Sequence, residues 1–308
     1  MIELNETHSI FDSSKIDSYL RCPRSFFYRY ILGWEIDSDN YHLIFGQAWH
    51  KGMEVIMKEG CNVESLEKAF VAFMAHYREY FPDSAGDAGR GVKTPEKALL
   101  GYTTYIDFYK HDDFETIETE IGGSVSIGEN RNTSFRIDAV CKNDVGYFVM
   151  EHKTASADSS SWRNQWALSI QLGMYIHVLH CMLEGEVWGA RVNGAIFRSK
   201  DVGLVRIPVR KTIEQMQQWY YIVQKALEDI EKDTEKLLVE SKKGLHMKSF
   251  QMNPVSCTAH FGTCPYHDLC LCWHNPLEKV NEVPSGFRVR WWNPLTENTK
   301  DAKKVVIL

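Results

Sequence analysis

The chain has 308 residues, 44% of them hydrophobic, enough to bury a sizeable core as one elaborated domain or two small ones. No apolar run approaches the length of a bilayer span, and the opening Met-Ile-Glu-Leu-Asn-Glu lacks the basic-then-apolar order of a secretion leader. A formal net charge of −6 does not advertise nucleic acid, although a phosphate track needs only local positive charge. Eight cysteines without a leader point to a reducing compartment, where thiols bind metal or stay buried, so the expected location is cytoplasmic, with no membrane partner.

In chain order, residues 13–32 read as helical, with Ser13 or Ser14 as a cap and Pro23 suited to the first turn of a second helix. Helices follow over 45–58 and 64–80, the latter with Leu66, Phe70, Phe73, Met74 and Tyr77 on one face. Residues 83–93, rich in Gly and Asp, read as an exposed loop, and Thr94-Pro95-Glu96 opens a helix to about 110. The pattern then turns to strands near 114–128, 133–141 and 146–153. A long helix is expected over 161–183, strands near 187–198 and 202–208, and a helix over 212–240. The apolar face of that last helix runs through Ile213, Met216, Tyr220, Val223, Leu227 and Ile230. Residues 250–275 read as a cysteine-bearing loop, and the tail around Arg288, Arg290, Trp291 and Trp292 as one more strand. The sum is an α/β fold, a central mixed sheet flanked by helices. It is read as a single domain over 1–308, comprising a helical portion (13–110), a sheet with its helix (114–210), a helix with the cysteine cluster (211–275) and a tail (276–308).

The most informative stretch is Phe135-Arg136-Ile137-Asp138-Ala139-Val140 with Phe148-Val149-Met150-Glu151-His152-Lys153-Thr154. Glu151 and Lys153 are two apart on one strand and share a face. Asp138 comes within reach if the two strands form a hairpin. Two acids and a lysine on one sheet face are costly to bury for structure alone. A hard cation resolves that cost, with Asp138, Glu151 and the His152 carbonyl as oxygen ligands. Lys153 could then orient or help deprotonate an attacking water. Taken alone, the triplet is better explained by a solvated surface hairpin; the neighbouring motifs reverse that balance.

Asp138 followed by Glu151-x-Lys153, within Glu-His-Lys-Thr, resembles the core of the PD-(D/E)XK nucleases, and in particular the RecB-like exonuclease branch with its CRISPR-associated and phage-encoded members. Ile137 stands where that family often has proline. Gly46-Gln47-Ala48-Trp49-His50 resembles its Gly-x-x-x-His element, which implies His50 as a further metal ligand; an imidazole favours manganese more than an all-oxygen site does. Gln171-Leu172-Gly173-Met174-Tyr175 resembles its Gln-x-x-x-Tyr element, with both side chains on one helix face. The resemblance implies that Gln171 orients a catalytic group and Tyr175 touches DNA.

Cys257, Cys264 and Cys270 lie in one loop, and Cys22 stands far upstream in Leu-Arg-Cys-Pro-Arg. One early cysteine and a late triple is the layout of RecB-like nucleases with a [4Fe–4S] cluster, and four thiolates suit it. Zinc is the alternative, with Cys272, His260 or His267 able to replace a ligand. Cys61, Cys141 and Cys181 sit in periodic segments and are expected in the core. A bridge from Cys22 to Cys257 would close most of the chain.

For DNA, Lys15, Arg21, Arg24 and Arg29, interleaved with Tyr19, Phe26, Phe27, Tyr28 and Tyr30, could track phosphates and stack bases; equally, the aromatics could be helix core. Arg163, with Trp162 and Trp166, and the patch Lys242, Lys243 and Lys248 are further candidates. The expected activity is a Mg²⁺- or Mn²⁺-dependent DNA exonuclease acting on single-stranded ends in recombination, repair or phage DNA processing. A structure-specific endonuclease and a catalytically silent DNA-binding accessory protein are the alternatives.

Overall fold

The structure, a computed structural model, describes residues 2–83, 86–87, 89–128, 131–259 and 262–307. A two-residue strand β1 (Phe11–Asp12) leads into α1 (Ser13–Arg21), whose cap is Asp12: its carboxylate accepts the Lys15 N–H. Cys22 is extended and ends α1, and Pro23 opens α2 (Pro23–Phe26), which runs into a π-helical turn over Phe27–Ile31. After β2 (Trp34–Ile36) come α3 (Tyr41–Glu59), capped by Asn40, α4 (Val63–Tyr80), opened by an Asn62–Ser65 capping box, and α5 (Pro95–Phe108), capped by Thr94. Of the loop expected before α5, residues 84, 85 and 88 lie outside the described residues.

The sheet is built from β3 (Glu115–Ser126), β4 (Asn132–Lys142) and β5 (Tyr147–Ala155), then β6 (Val187–Phe197) and β7 (Val202–Val209). Between β5 and β6 the single helix expected over 161–183 is divided into α6 (Ser160–Asn164), a 3₁₀ turn (Gln165–Leu168) and α7 (Ile170–Met182). Ser169 makes the break by accepting the Leu172 N–H as an N-cap. α8 (Ile213–Lys243) starts at a Thr212–Gln215 capping box; its apolar stripe is buried from Val223 onward, whereas Ile213 is exposed. The cysteine segment is not all loop, since it holds α9 (His267–Cys272). The tail supplies two strands rather than one, β8 (Phe287–Val289) and β9 (Lys303–Ile307), with α10 (Pro294–Thr299) between them.

The strand order is β7-β6-β5-β4-β3-β9, with β5–β6 and β3–β9 parallel and the other neighbours antiparallel; β2 and β8 form a separate pair. This is the α/β architecture with a mixed central sheet expected from the sequence. Gly123 is required where β9 docks, because a Cβ there would stand 1.7 Å from the Val305 carbonyl oxygen. One core gathers α1, α7, α8 and the residues around Tyr28 on one side of the sheet, and a second gathers α3, α4 and α5 with Ala195 and Phe197. Among the described residues, no helix is long and apolar enough to cross a membrane.

Register creates a local gap. β3 pairs with β4 along nearly its whole length, but β5 pairs only with residues Ala139 to Lys142 of β4. On that same edge β1 pairs at Thr133 and Ser134. Residues 135–138 therefore have no strand partner on that side, and Asp138 occupies the last position of the gap.

Candidate active site

Asp138 fills the gap with its own side chain: the His152 N–H donates to its Oδ2 at 2.8 Å. Its Oδ1 lies 3.2 Å from His50 Nδ1, so α3 delivers the histidine across the face of β4. Burial would raise the Asp138 pKa, but the facing His50, with His152 and Lys153, outweighs it and holds the carboxyl below its ordinary range. His50 shifts the other way: burial opposes its charge, and the carboxylates of Asp138 and Glu151 raise its pKa on balance.

Glu151 and Lys153 point to one side of β5, as strand periodicity requires. Lys153 Nζ donates to Glu151 Oε1 at 2.5 Å and to Gln171 Oε1 at 3.0 Å, and Gln171 Nε2 donates to the Tyr175 hydroxyl at 2.9 Å. The break at Ser169 puts Gln171 in the first turn of α7, over Lys153. Gly173 is needed two residues on, because a Cβ there would come within 2.4 Å of the Trp219 ring. Glu151 is 2% exposed and its Oε2 has no hydrogen-bond partner. Burial, then repulsion from Asp138, pushes its pKa up to about 7, with Lys153 and His50 offsetting only part. A buried, half-satisfied carboxylate beside a second acid is the kind of site a cation completes. The ligands have not converged, however: among the described residues no three His, Cys, Asp or Glu side chains stand close enough to hold a single ion.

Tyr175 is buried, and its hydroxyl is engaged by Gln171, so it anchors Gln171 rather than reaching DNA as expected. The His152 side chain meets Asn193 through Nδ1, leaves Nε2 without a partner, and has its pKa lowered to about 3 by burial.

One acid here was not anticipated. Thr119 pairs with Ala139 and Ile121 with Ile137, which sets Glu120 opposite Asp138. Glu120 is buried, with φ +50°, a left-handed conformation that costs a non-glycine residue about 1–3 kcal/mol. Burial and then the charge of Asp138 raise its pKa, while Arg136 and His50 oppose. Arg136 pairs with it at 2.6 Å and donates to the Lys300 carbonyl at 2.8 Å, tying the tail to the site. The clue available in the sequence was the hairpin register between the strands expected near 114–128 and 133–141.

Around the cysteines, all thiols are free. Cys22, buried at the start of α2, accepts the Asn253 N–H on its sulfur at 3.4 Å, and the Cys264 N–H donates to the Cys257 carbonyl at 2.8 Å. Burial raises the thiol pKa of Cys264, and that of Cys270 to about 11, and in both cases the sulfurs of Cys22 and Cys257 add to the rise. Among the described residues, as at the acidic site, no three of these thiols stand close enough to hold a single ion. Cys272 is exposed, His267 is turned to Asp268, and His260 lies outside the described residues. Cys141 is in the core and Cys61 half-buried, but Cys181 is exposed, against expectation, because it sits near the solvent-facing end of α7.

The expected DNA track needs correction at six positions. Tyr28 is fully buried, stacked on Trp34 at 5.7 Å, and Arg24 is buried with its Nε donating to the Phe250 carbonyl. Tyr19, Phe26 and Phe27 join them in the core, so the aromatics there serve packing. Lys15 is likewise buried, donating to the Thr7 and Ile10 carbonyls. Arg21 and Arg163 are exposed but paired with Asp17 and Asp158. Trp166 lies beside the site, with Lys153 Nζ 5.7 Å from its ring centre.

A family model described as the PD-(D/E)XK nuclease superfamily matches residues 13–271. The chain belongs to that superfamily. No curated protein matches the sequence. Among solved structures, the crystal structure of SSO0001 is similar at 14% identity, over 70% of this chain and 82% of that one, with a TM-score of 0.28.

Proposed function

We propose that the protein is a metal-dependent DNA exonuclease of the RecB-like branch, hydrolysing phosphodiester bonds at single-stranded ends in recombination, repair or phage DNA processing. Superfamily membership supports nuclease activity with DNA as substrate. The observation that carries the reading is the orphaned, buried Glu151 Oε2 beside Asp138 and His50, which the fold keeps without a protein partner. His50, Asp138, Glu151 and the His152 carbonyl would hold Mg²⁺ or Mn²⁺. When bound, the ion would polarise the scissile phosphate and stabilise its developing charge. Lys153, steadied by Glu151 and Gln171, orients the attacking water, and Tyr175 fixes Gln171 in turn. Arg21 and Arg163, once released from their acids, are available to DNA phosphates.

Cys22, Cys257, Cys264 and Cys270 are proposed to hold a [4Fe–4S] cluster. Free thiols on segments from both ends of the chain, with the Asn253 N–H beside Cys257 donating to the Cys22 sulfur, support this reading. Its role is closure rather than electron transfer.

End-labelled single-stranded DNA with Mn²⁺ tests the function. Cleavage by the wild type and none by Lys153→Ala is expected. Binding without cleavage by the wild type would favour an accessory role, and internal nicks an endonuclease. Parallel 5′ and 3′ labels read the polarity. Anaerobically purified protein should be brown and contain iron; zinc in colourless protein would reject the cluster.

A further inference from the structure

Lys93, at the end of the segment before α5, is 6% exposed, yet its ammonium is placed without a counter-charge. Its Nζ donates to Thr154 Oγ1 at 3.0 Å and lies 5.7 Å from the Phe45 ring centre. Among the described residues no carboxylate pairs with it. Burial, with no acid to offset it, lowers its pKa to about 8. Among the described residues Thr154 is the one acceptor its three N–H donors meet. Ammonium groups are rarely buried in this way unless something anionic meets them.

The position adjoins the His50–Asp138 side of the active site, on the face of β5 opposite Glu151 and Lys153. Thr154 lies two residues beyond His152 on the same side of β5, roughly 7 Å along the strand. Gly46 passes over it: a Cβ there would be 3.7 Å from Thr154 Oγ1. One helical turn later on the same face of α3 is His50, against Asp138. Lys93 and the His50–Asp138 pair thus lie about one helical turn apart along the same face of α3. The first turn of α3 flanks Lys93, and its partial positive charge favours an anion.

We propose that Lys93, held by Thr154, is a binding point for a backbone phosphate of the DNA strand beside the scissile bond. The inference rests on the nuclease reading above and adds to it a contact from the helical portion, outside the metal-and-lysine constellation. The ammonium gives a point-charge contact to a phosphate oxygen, sequence-independent and salt-sensitive. It fixes the register of the strand relative to the cation site.

Fluorescence anisotropy with a 5′-labelled single strand of about 20 nucleotides, in EDTA and over a range of salt, tests this on the full chain. Lys93→Met should weaken binding on the order of tenfold and make the slope of log affinity against log salt shallower by about 0.7. Thr154→Val, which removes no charge, should leave the slope at the wild-type value. An unaltered slope in Lys93→Met, with wild-type cleavage intact, overturns this inference alone. So do equal losses in both variants with wild-type slopes and lowered unfolding midpoints, since the lysine would then be a structural tie. A wild type that neither binds nor cleaves the strand overturns the nuclease reading together with it.

Discussion

Two places in the molecule join segments far apart in the chain, and they are held by opposite means. Around the cysteines, aromatic packing already does the joining: Phe26 stacks on Phe250 at 5.8 Å, Tyr28 on Trp34, and Tyr266 on Phe287 at 5.6 Å. The Tyr266 hydroxyl donates to the Trp34 carbonyl across 232 positions of sequence. At the catalytic gap, by contrast, charge is concentrated and incompletely answered, with Glu151 Oε2 orphaned and Glu120 and Asp138 facing each other. The cysteine region is stable packing to which the proposed cluster would add a cross-link; the gap at Asp138 is a destabilising arrangement that the proposed cation would relieve. Changes at the first should therefore register as stability, and at the second as activity and metal affinity.

The largest effect should come from Glu151→Ala or Asp138→Ala, each lowering the rate of DNA cleavage by at least about a hundredfold with far-UV circular dichroism unchanged. If either variant instead unfolds while cleavage per folded molecule survives, the contrast fails. Next, Cys257→Ala should leave cleavage measurable at low temperature but reduce the unfolding free energy in urea, by up to about 4–5 kcal/mol if the cross-link closes the long loop. A shift of the urea midpoint near zero would mean that the aromatic stack holds this region unaided.

Glu120→Gln sharpens the catalytic side. If Glu120 acts through Asp138 and His50, the half-saturating Mn²⁺ concentration should rise about tenfold while cleavage at saturating metal is preserved. An unchanged metal titration would assign Glu120 to the Arg136 tie alone.

The smallest effect is a pH dependence. Glu151 has its pKa raised to about 7, against about 4.3 in an unfolded chain. Between those values the folded state keeps a proton that the unfolded state has released, so metal-free stability falls as pH rises through this window. A metal held by Glu151 would displace that proton, so the rise in melting temperature on adding Mn²⁺ should be a few degrees larger at pH 8 than at pH 6. Equal shifts at both pH values would show that Glu151 does not couple to the metal.

Much of the fold could be read directly because its signals are local. Helices α3, α4, α5 and α8 have polar caps and apolar spacing, and the strands alternate or, like Val149-Met150, are apolar where both faces are covered. The Asp138, Glu151, Lys153 and His50 set was legible as a resemblance of short motifs in order. Ser169 broke the expected long helix because a single hydroxyl cap outweighed continuous apolar periodicity. The basic-aromatic stretch from Lys15 to Tyr30 was ambiguous because helix cores and base-stacking surfaces use the same residue types; burial decided for the core.

The sequence by itself determined which residue types carry the chemistry and which elements bear them, since both depend on neighbours within a few positions. Only the tertiary structure decided that β5 leaves β4 at Ala139 and opens a gap for Asp138, that Glu120 faces it, and that the tail closes the far edge through β9 and Arg136. Those facts rest on register and pairing between segments many residues apart, which no local pattern encodes.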